Sequence, residues 1–146
     1  MAYCIQLGTR YNGIHYSHNS RYNNSLRVKT SNLYSVTLVQ NLYPPHLADK
    51  PWDNTGLVVD SFTENGDAGG YKILLTVDLT ENVADEAVAT NSNVVIAYHP
   101  FILGGLKSIT PQDSQQKTLI KLIQCNTSVY SPHTAVDSAK GGVNDF

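Results

Sequence analysis

The sequence predicts an α/β fold with a parallel or mostly parallel sheet flanked by helices, and two observations support this. Short, continuously apolar segments alternate with amphipathic segments of helical period between residues 72 and 130. The apolar segments have no polar face, which is typical of strands covered on both sides. Strands that alternate with helices in this way pair in parallel within one sheet. The fold class therefore follows from pattern alone.

The predicted elements can be placed in order along the chain. The segment "KILLTVD" predicts the first of three strands, and "TENVADEAVATN" predicts a helix with Thr80 as its N-cap. A second helix is predicted in "TPQDSQQKTLIKLIQCN", with Thr110 as N-cap and Pro111 at its first position. Before these, "LVVD" after the turn "WDNTG" predicts a short strand. The three parallel strands are expected near 73–77, 94–98 and 128–131, and the two helices near 80–91 and 112–125.

The first part of the chain differs in composition from the rest. The first 48 residues contain four basic residues and no Asp or Glu, whereas all 12 acidic residues lie from Asp49 onward. Residues 1–32 are rich in Asn, Ser and Tyr and show no apolar period, so we expect a polar, disordered arm with few contacts to the core. Residues 33–146 are expected to form the α/β domain. A mitochondrial presequence is an alternative for the arm, and four scattered basic residues are a weak signal for nucleic-acid binding.

Several classes of protein are disfavoured by composition. No apolar run approaches the ~20 residues of a membrane-spanning helix, and no secretory signal is visible near the start. Cys4 and Cys125 lie far apart and have no metal-type spacing. These features predict a cytoplasmic protein with free thiols, with a mitochondrial location as the alternative.

Polar residues follow each of the three predicted parallel strands. Asp78 follows the first, Tyr98 and His99 end the second, and His133 and Asp137 follow the third. The carboxyl ends of parallel strands share one edge of a sheet, where open α/β sheets bind ligands. Imidazole and carboxylate are ordinary ligands of divalent transition metals, so a metal site is one hypothesis.

Each of these residues also has a structural interpretation. Asp78 has the position of a helix cap, His99 that of a hydrogen-bonded loop residue, and His133 with Asp137 that of a surface pair. Tyr98 is interpreted as the end of its strand and Trp52 as a core residue. Asp53 and Asn54 are interpreted as turn residues.

Four stretches together resemble the amino-terminal half of the Nif-three-like family, whose bacterial members are called GTP cyclohydrolase 1 type 2-like. The resemblance covers about residues 34–146, in the family's order, and is nearest to eukaryotic members because the second strand ends in Tyr-His-Pro. The matching stretches are "PWDNTGLVVD", "ILLTVDLTENVADEAV", "VVIAYHPFI" and "SVYSPHTAVDSAKGGVND".

The resemblance implies a dinuclear centre of Zn, Fe or Mn at the edge of an α/β core, in a toroidal homohexamer. His99 matches a metal-binding histidine, Asp137 matches the metal-bridging aspartate, and His133 begins the same motif as a ligand or close neighbour. Tyr98 stands where bacterial members carry a second histidine ligand. The family's remaining His and Glu ligands come from a region beyond "GGVND", so the chain is expected to be a fragment that carries part of the site.

Two functions from different classes remain open at this point. The first is a metal-dependent hydrolase, in which metal ions activate water and bind a phosphate or ring substrate. The second is a regulatory or scaffold protein that acts through contacts with a transcriptional or other regulatory partner. The family's name suggests this, because it derives from a yeast NGG-one-interacting factor. No general base is identified, since Asp78 is the only spare carboxylate at the edge, and no catalytic residue is assigned.

Overall fold

The computed structural model describes residues 3–7, 30–61 and 71–145. Within these ranges, five strands form one sheet: β1 (Tyr3–Leu7), β2 (Gly56–Val59), β3 (Tyr71–Thr76), β4 (Val94–Ala97) and β5 (Ser128–Ser131). The α-helices of the described residues are α1 (Thr30–Leu42), α2 (Glu81–Ala89), α3 (Ser114–Gln124) and α4 (His133–Ser138). Short 3-10 helices lie at Pro45–Leu47 and Val143–Asp145.

The sheet is parallel at its centre and antiparallel at both edges, with the strand order β1-β3-β4-β5-β2. β3, β4 and β5 pair in parallel, whereas β1 pairs antiparallel with β3 and β2 antiparallel with β5. The predicted α/β class and the three parallel strands are thereby confirmed. A structural consequence is that β3, β4 and β5 all end at the same edge.

The main core lies between one face of the sheet and the helices α2 and α3. Leu74, Val95 and Val129 occupy equivalent register positions on the three central strands and are fully buried. Ala84 and Ala87 of α2 and Leu119 and Leu122 of α3 pack into the same cluster. The small alanines allow α2 to approach the sheet closely. Burial of each large apolar side chain stabilises the fold by about 1.5–3 kcal/mol.

The ends of the two central helices are set by side-chain caps. Thr80 accepts a hydrogen bond from the Val83 amide and caps α2, as predicted. α3 begins later than predicted, because Asp113 caps it by accepting from the Gln116 amide. The expected N-cap, Thr110, donates its amide instead to the side chain of Gln116. An aspartate cap inside the predicted helix therefore overrides the signal of Thr110-Pro111.

The strand β1 is a correction to the expected arm. Residues 3–7 were included in a segment expected to make few contacts with the core, yet Ile5 lies opposite Ile73 in the antiparallel ladder with β3. The physical reason is that "YCIQL" is a short β-type run within polar surroundings, and β3 offers it an unpaired edge. Residues 1–2 and 8–29 of the expected arm lie outside the described residues.

No helix in the described part of the chain is long and apolar enough to cross a membrane.

Candidate functional site

The candidate site lies beyond the carboxyl ends of β3, β4 and β5. Asp78 follows β3 by two residues, and Tyr98 and His99 follow β4 directly. After β5, Pro132 leads into α4, whose first residue is His133. Asp137 lies four residues later in the same short helix. The parallel sheet thus delivers all five residues predicted for the site to one edge.

Three aromatic rings meet at this edge. The ring centroids of His99 and His133 are 5.7 Å apart with an interplanar angle of 74°. Tyr98 lies 4.8 Å from the His99 ring and 5.7 Å from the His133 ring. Trp52 adds an edge-on contact to His133 at 5.6 Å. The rings of His99 and His133 therefore lie next to each other at the strand-end edge.

Tyr98 and Asp137 form a direct hydrogen bond. The phenol of Tyr98 donates to Asp137 Oδ1 over 2.6 Å. This bond, together with partial burial and the charges of Asp137 and Asp53, raises the pKa of Tyr98 to about 12. The phenol is therefore neutral at physiological pH and acts as a donor. Since Asp137 is joined in this way to the neighbour of His99, it belongs to the same cluster.

Asp53 is the main functional residue that the sequence interpretation missed. Its side chain is 0% exposed and accepts a hydrogen bond from His133 Nδ1 at 2.7 Å. The hydroxyl groups of Thr55 and Thr134 also donate to Asp53. Burial acts to raise the pKa of Asp53, but the bonds from Thr134, Thr55 and His133 outweigh it and the pKa lies below its ordinary value. Asp53 is thus an ionised carboxylate with its oxygens satisfied.

His99 has a carboxylate partner of its own, in a different environment. His99 Nδ1 lies 2.7 Å from Asp78 Oδ1, and the two side chains are 49% and 66% exposed. Asp78 therefore does not cap α2, which Thr80 does, but pairs with an imidazole across the strand ends. The hydroxyl of Ser131 donates to the backbone carbonyl of His99 at 3.3 Å and ties that loop to β5.

Trp52 also differs from its predicted role. It was expected in the core, but it is 57% exposed and lies against His133. Its indole N–H donates to Asp49 Oδ2 at 2.5 Å, and the Asp49 amide donates to Thr134 Oγ1 at 2.9 Å. The only sequence signal for Asp53 and Trp52 was the stretch "WDNTG", which also fits an ordinary turn. No spacing rule links that stretch to a histidine 80 residues later.

The donor chemistry of the edge can be compared with what a divalent metal requires. Each imidazole engages a carboxylate through Nδ1, which leaves Nε2 with the available lone pair, as is usual for metal-binding histidines. In the described part of the chain, however, no group of three or more His, Cys, Asp or Glu side chains is arranged so that it could hold a metal ion. Imidazole nitrogen and carboxylate oxygen are of the types that divalent metals bind, and Asp137 is engaged by Tyr98. The described residues do not by themselves form a complete metal site.

A cavity of about 400 Å³ opens beside His99, between the starts of α2 and α3. Its lining includes the apolar residues Leu79 and Phe101 and the polar residues Asp78 and Thr80. The cavity is large enough for a small molecule and lies next to the His99 imidazole.

The chain is similar to characterised sequences over most of its length. It is 53% identical over 116 residues to NGG1-interacting factor 3 of Saccharomyces cerevisiae, covering 76% of this chain and 40% of the yeast protein. It is 37% identical over 121 residues to the GTP cyclohydrolase 1 type 2 homolog of Clostridium acetobutylicum, covering 83% of this chain and 42% of that protein. The chain thus spans about two fifths of the length of these relatives.

The fold has a close counterpart among solved structures. A Bacillus cereus protein related to NIF3 superposes with a TM-score of 0.66 and 35% sequence identity, covering 77% of this chain and 30% of that one. A profile of the family Duf34/NIF3 (NGG1p interacting factor 3) matches residues 29–146. The matched range contains every residue of the cluster at the sheet edge. This chain therefore belongs to the Duf34/NIF3 family.

Proposed function

We propose that the chain carries part of a divalent-metal site and that the complete protein is a metal-dependent hydrolase. The observation that supports this most is the meeting of His99 and His133 at one sheet edge, with each Nδ1 engaged by a carboxylate. His99 and His133 would hold the metal through Nε2, and Asp137 would provide an oxygen ligand. A bound Zn, Fe or Mn ion would supply Lewis-acid chemistry toward a substrate oxygen.

The other residues of the cluster would orient these ligands. Tyr98 donates to one oxygen of Asp137, which leaves the second carboxylate oxygen available to a cation. Because its phenol stays protonated, Tyr98 would act as a hydrogen-bond donor and not as an anionic ligand. The cavity beside His99 would receive the substrate, with its apolar lining residues Leu79 and Phe101 in contact with a ring or other apolar group.

The site would be completed by groups that the described residues do not provide. Closed protein sites for zinc use about four ligands, whereas this edge offers two imidazoles and one carboxylate. We propose that a second metal position and the remaining ligands belong to the longer protein, in a homo-oligomer. We therefore expect this chain alone to bind one metal ion per chain, and weakly.

Calorimetric titration of the metal-free chain with Zn²⁺ tests the proposal. Saturable binding is expected in the wild-type chain, and His99→Ala or Asp137→Ala should abolish it while leaving the circular dichroism spectrum unchanged. The matched control is His46→Ala, which removes an exposed histidine outside the ring cluster and should bind as the wild type does. Equal binding in all four proteins would contradict the assignment.

A regulatory protein that acts through protein contacts is the second candidate. The name of the yeast relative refers to an interaction with another protein, and large apolar side chains are exposed near the site, including Trp52 and Leu103. Catalytic turnover of a phosphoester distinguishes the two candidate functions. The chain joined to the part of the yeast relative that it does not match, and loaded with Zn²⁺, Fe²⁺ or Mn²⁺, should hydrolyse a phosphoester such as p-nitrophenyl phosphate if the first is correct. Metal uptake without any turnover would favour the second.

A further inference from the structure

Asp53 is a buried carboxylate in an otherwise accessible site. Its side chain is 0% exposed, whereas the other carboxylate–imidazole pair, Asp78 with His99, is largely exposed. A buried carboxylate destabilises a fold unless it is paired and hydrogen-bonded. In this structure, Asp53 accepts from the Thr55 hydroxyl at 2.5 Å, from the Thr134 hydroxyl, and from the Thr134 amide at 3.4 Å, all on Oδ2. These bonds fix the plane of the carboxylate and leave Oδ1 for one partner.

That partner is His133, and its protonation pattern follows from the pairing. An ionised carboxylate only accepts hydrogen bonds, so His133 Nδ1 is the donor in the 2.7 Å contact with Asp53 Oδ1. In the neutral ring the proton then resides on Nδ1, and the lone pair resides on Nε2. The opposite tautomer would place two lone pairs against each other in a buried position.

The backbone and ring of His133 are held in an unusual conformation. His133 has a φ of +31°, a region that costs a non-glycine residue about 1 kcal/mol or more. Its side chain is only 13% exposed and is flanked by the rings of Trp52, Tyr98 and His99. The bonds of Asp53 to the His133 ring and to Thr134 hold this strained start of α4 in place.

We infer that Asp53 is a positioning residue, which fixes His133 with its proton on Nδ1 and its Nε2 lone pair available, and thereby sets the affinity of the edge for a divalent cation. The part about cation affinity rests on the proposed function. The part about the tautomer does not, because it concerns the metal-free chain. Since both Asp78 and His99 are exposed, the influence of Asp78 on His99 should be much weaker.

Long-range ¹H–¹⁵N correlation spectra of the metal-free chain test the tautomer directly. At about pH 9, well above the ordinary imidazole range, His133 should show a pyrrole-type Nδ1 and a pyridine-type Nε2. In Asp53→Asn, which conserves shape but can donate to Nδ1, this fixed pattern should be lost. The control Asp85→Asn removes an exposed carboxylate of α2 that pairs with Lys121, and it should leave the His133 signals unchanged.

Titration with Co²⁺ alone, followed by visible absorption, tests the consequence for binding. Loss of an outer partner of a metal-binding histidine typically weakens binding by roughly 10–100-fold, and we expect this for Asp53→Asn. Asp78→Asn should weaken binding by less than about threefold, because an exposed pair contributes little.

Three results would decide against the inference. A wild-type spectrum with the His133 proton on Nε2 would overturn it whether or not any variant folds. A folded Asp53→Asn with the wild-type tautomer would overturn it too, as would Co²⁺ affinity unchanged from that of the wild type. If the wild-type chain binds no Co²⁺ at all, the proposed metal function fails, and the tautomer measurement alone decides the role of Asp53.

Discussion

The two site histidines show how the same pairing acts differently in different surroundings. His133 donates to a carboxylate that has no contact with solvent and is itself only 13% exposed, so water competes little for this pair. His99 and Asp78 both remain exposed, and exposed ion pairs contribute only about 0–1 kcal/mol. At the residue scale, Asp53 is therefore the carboxylate on which the geometry of the edge depends most.

The stability contributed by Asp53 should depend on pH. Because the pKa of Asp53 is lowered in the folded chain, its contribution is fully present above its unfolded value of 3.8 and is lost as the pH falls below that value. Asp53→Asn should therefore lower the free energy of unfolding by about 2 kcal/mol at pH 7, the range for hydrogen bonds to a charged group. Urea denaturation at pH 7 and pH 3 should show a smaller difference at the lower pH. An equal difference at both would contradict the account.

The Tyr98 phenol can be removed without removing its ring. Tyr98→Phe keeps the contacts with His99 and His133 but removes the donor to Asp137. We expect a loss of about 1 kcal/mol in the free energy of unfolding, together with weaker Zn²⁺ binding because Asp137 is less well oriented. Tyr43→Phe, a matched change outside the ring cluster, is the control. Unchanged Zn²⁺ affinity in Tyr98→Phe would show that the phenol does not orient the ligand.

At the scale of elements, the periodicity of apolar residues predicted the central strands and the helices that pack against them. The β3, β4 and β5 strands and the α2 and α3 helices were all predicted, because continuous apolar runs and helical stripes are strong signals. On α3, Leu122 is buried whereas the adjacent Ile123 is 43% exposed, although both are apolar. Which apolar residue of a helix is buried depends on the tilt of the helix on its sheet, and that tilt is set by neighbours that the local sequence does not contain.

The turn after α4 provides a test at the same scale. A Cβ built on Gly142 would lie 1.8 Å from the carbonyl oxygen of Val136 and 2.8 Å from that of Ala139, both backbone atoms. Gly142→Ala should therefore force the chain after α4 to shift and lower the free energy of unfolding by about 1–3 kcal/mol. Gly104→Ala is the matched control, because nothing lies within 4 Å of the added carbon. Thermal unfolding of both variants measures the difference, and equal midpoints would contradict the geometry.

At the scale of the whole molecule, the fold class and the location of the site followed from the sequence. The edge strand β1 and the part that Asp53 plays in the site did not. Parallel strands with polar residues at their ends indicated the edge where Asp78, Tyr98, His99, His133 and Asp137 meet. Asp53 was not predicted, because its role depends on a contact across 80 positions of chain that no periodicity encodes. The β1 strand was not predicted for a similar reason, since a five-residue strand is defined by its partner.

The role of β1 can be tested by truncation. Removal of residues 1–7 eliminates the ladder with β3, so the outward amides of Tyr71–Thr76 should exchange with solvent faster and the free energy of unfolding should fall by roughly 1–3 kcal/mol. Removal of residues 1–2 alone, which precede the strand, is the control and should change neither. Hydrogen exchange measured by mass spectrometry checks both. Unchanged protection after removal of residues 1–7 would show that β1 does not cover this edge.

The central claim is that the sheet edge brings His99 and His133 together as ligands of one divalent metal ion. X-ray absorption spectroscopy of the chain loaded with one equivalent of Zn²⁺ counts the imidazole nitrogens bound to the metal. We expect two in the wild-type chain, one in either His99→Ala or His133→Ala, and two in His46→Ala. A wild-type spectrum without imidazole scattering, or one that neither site variant changes, would contradict it.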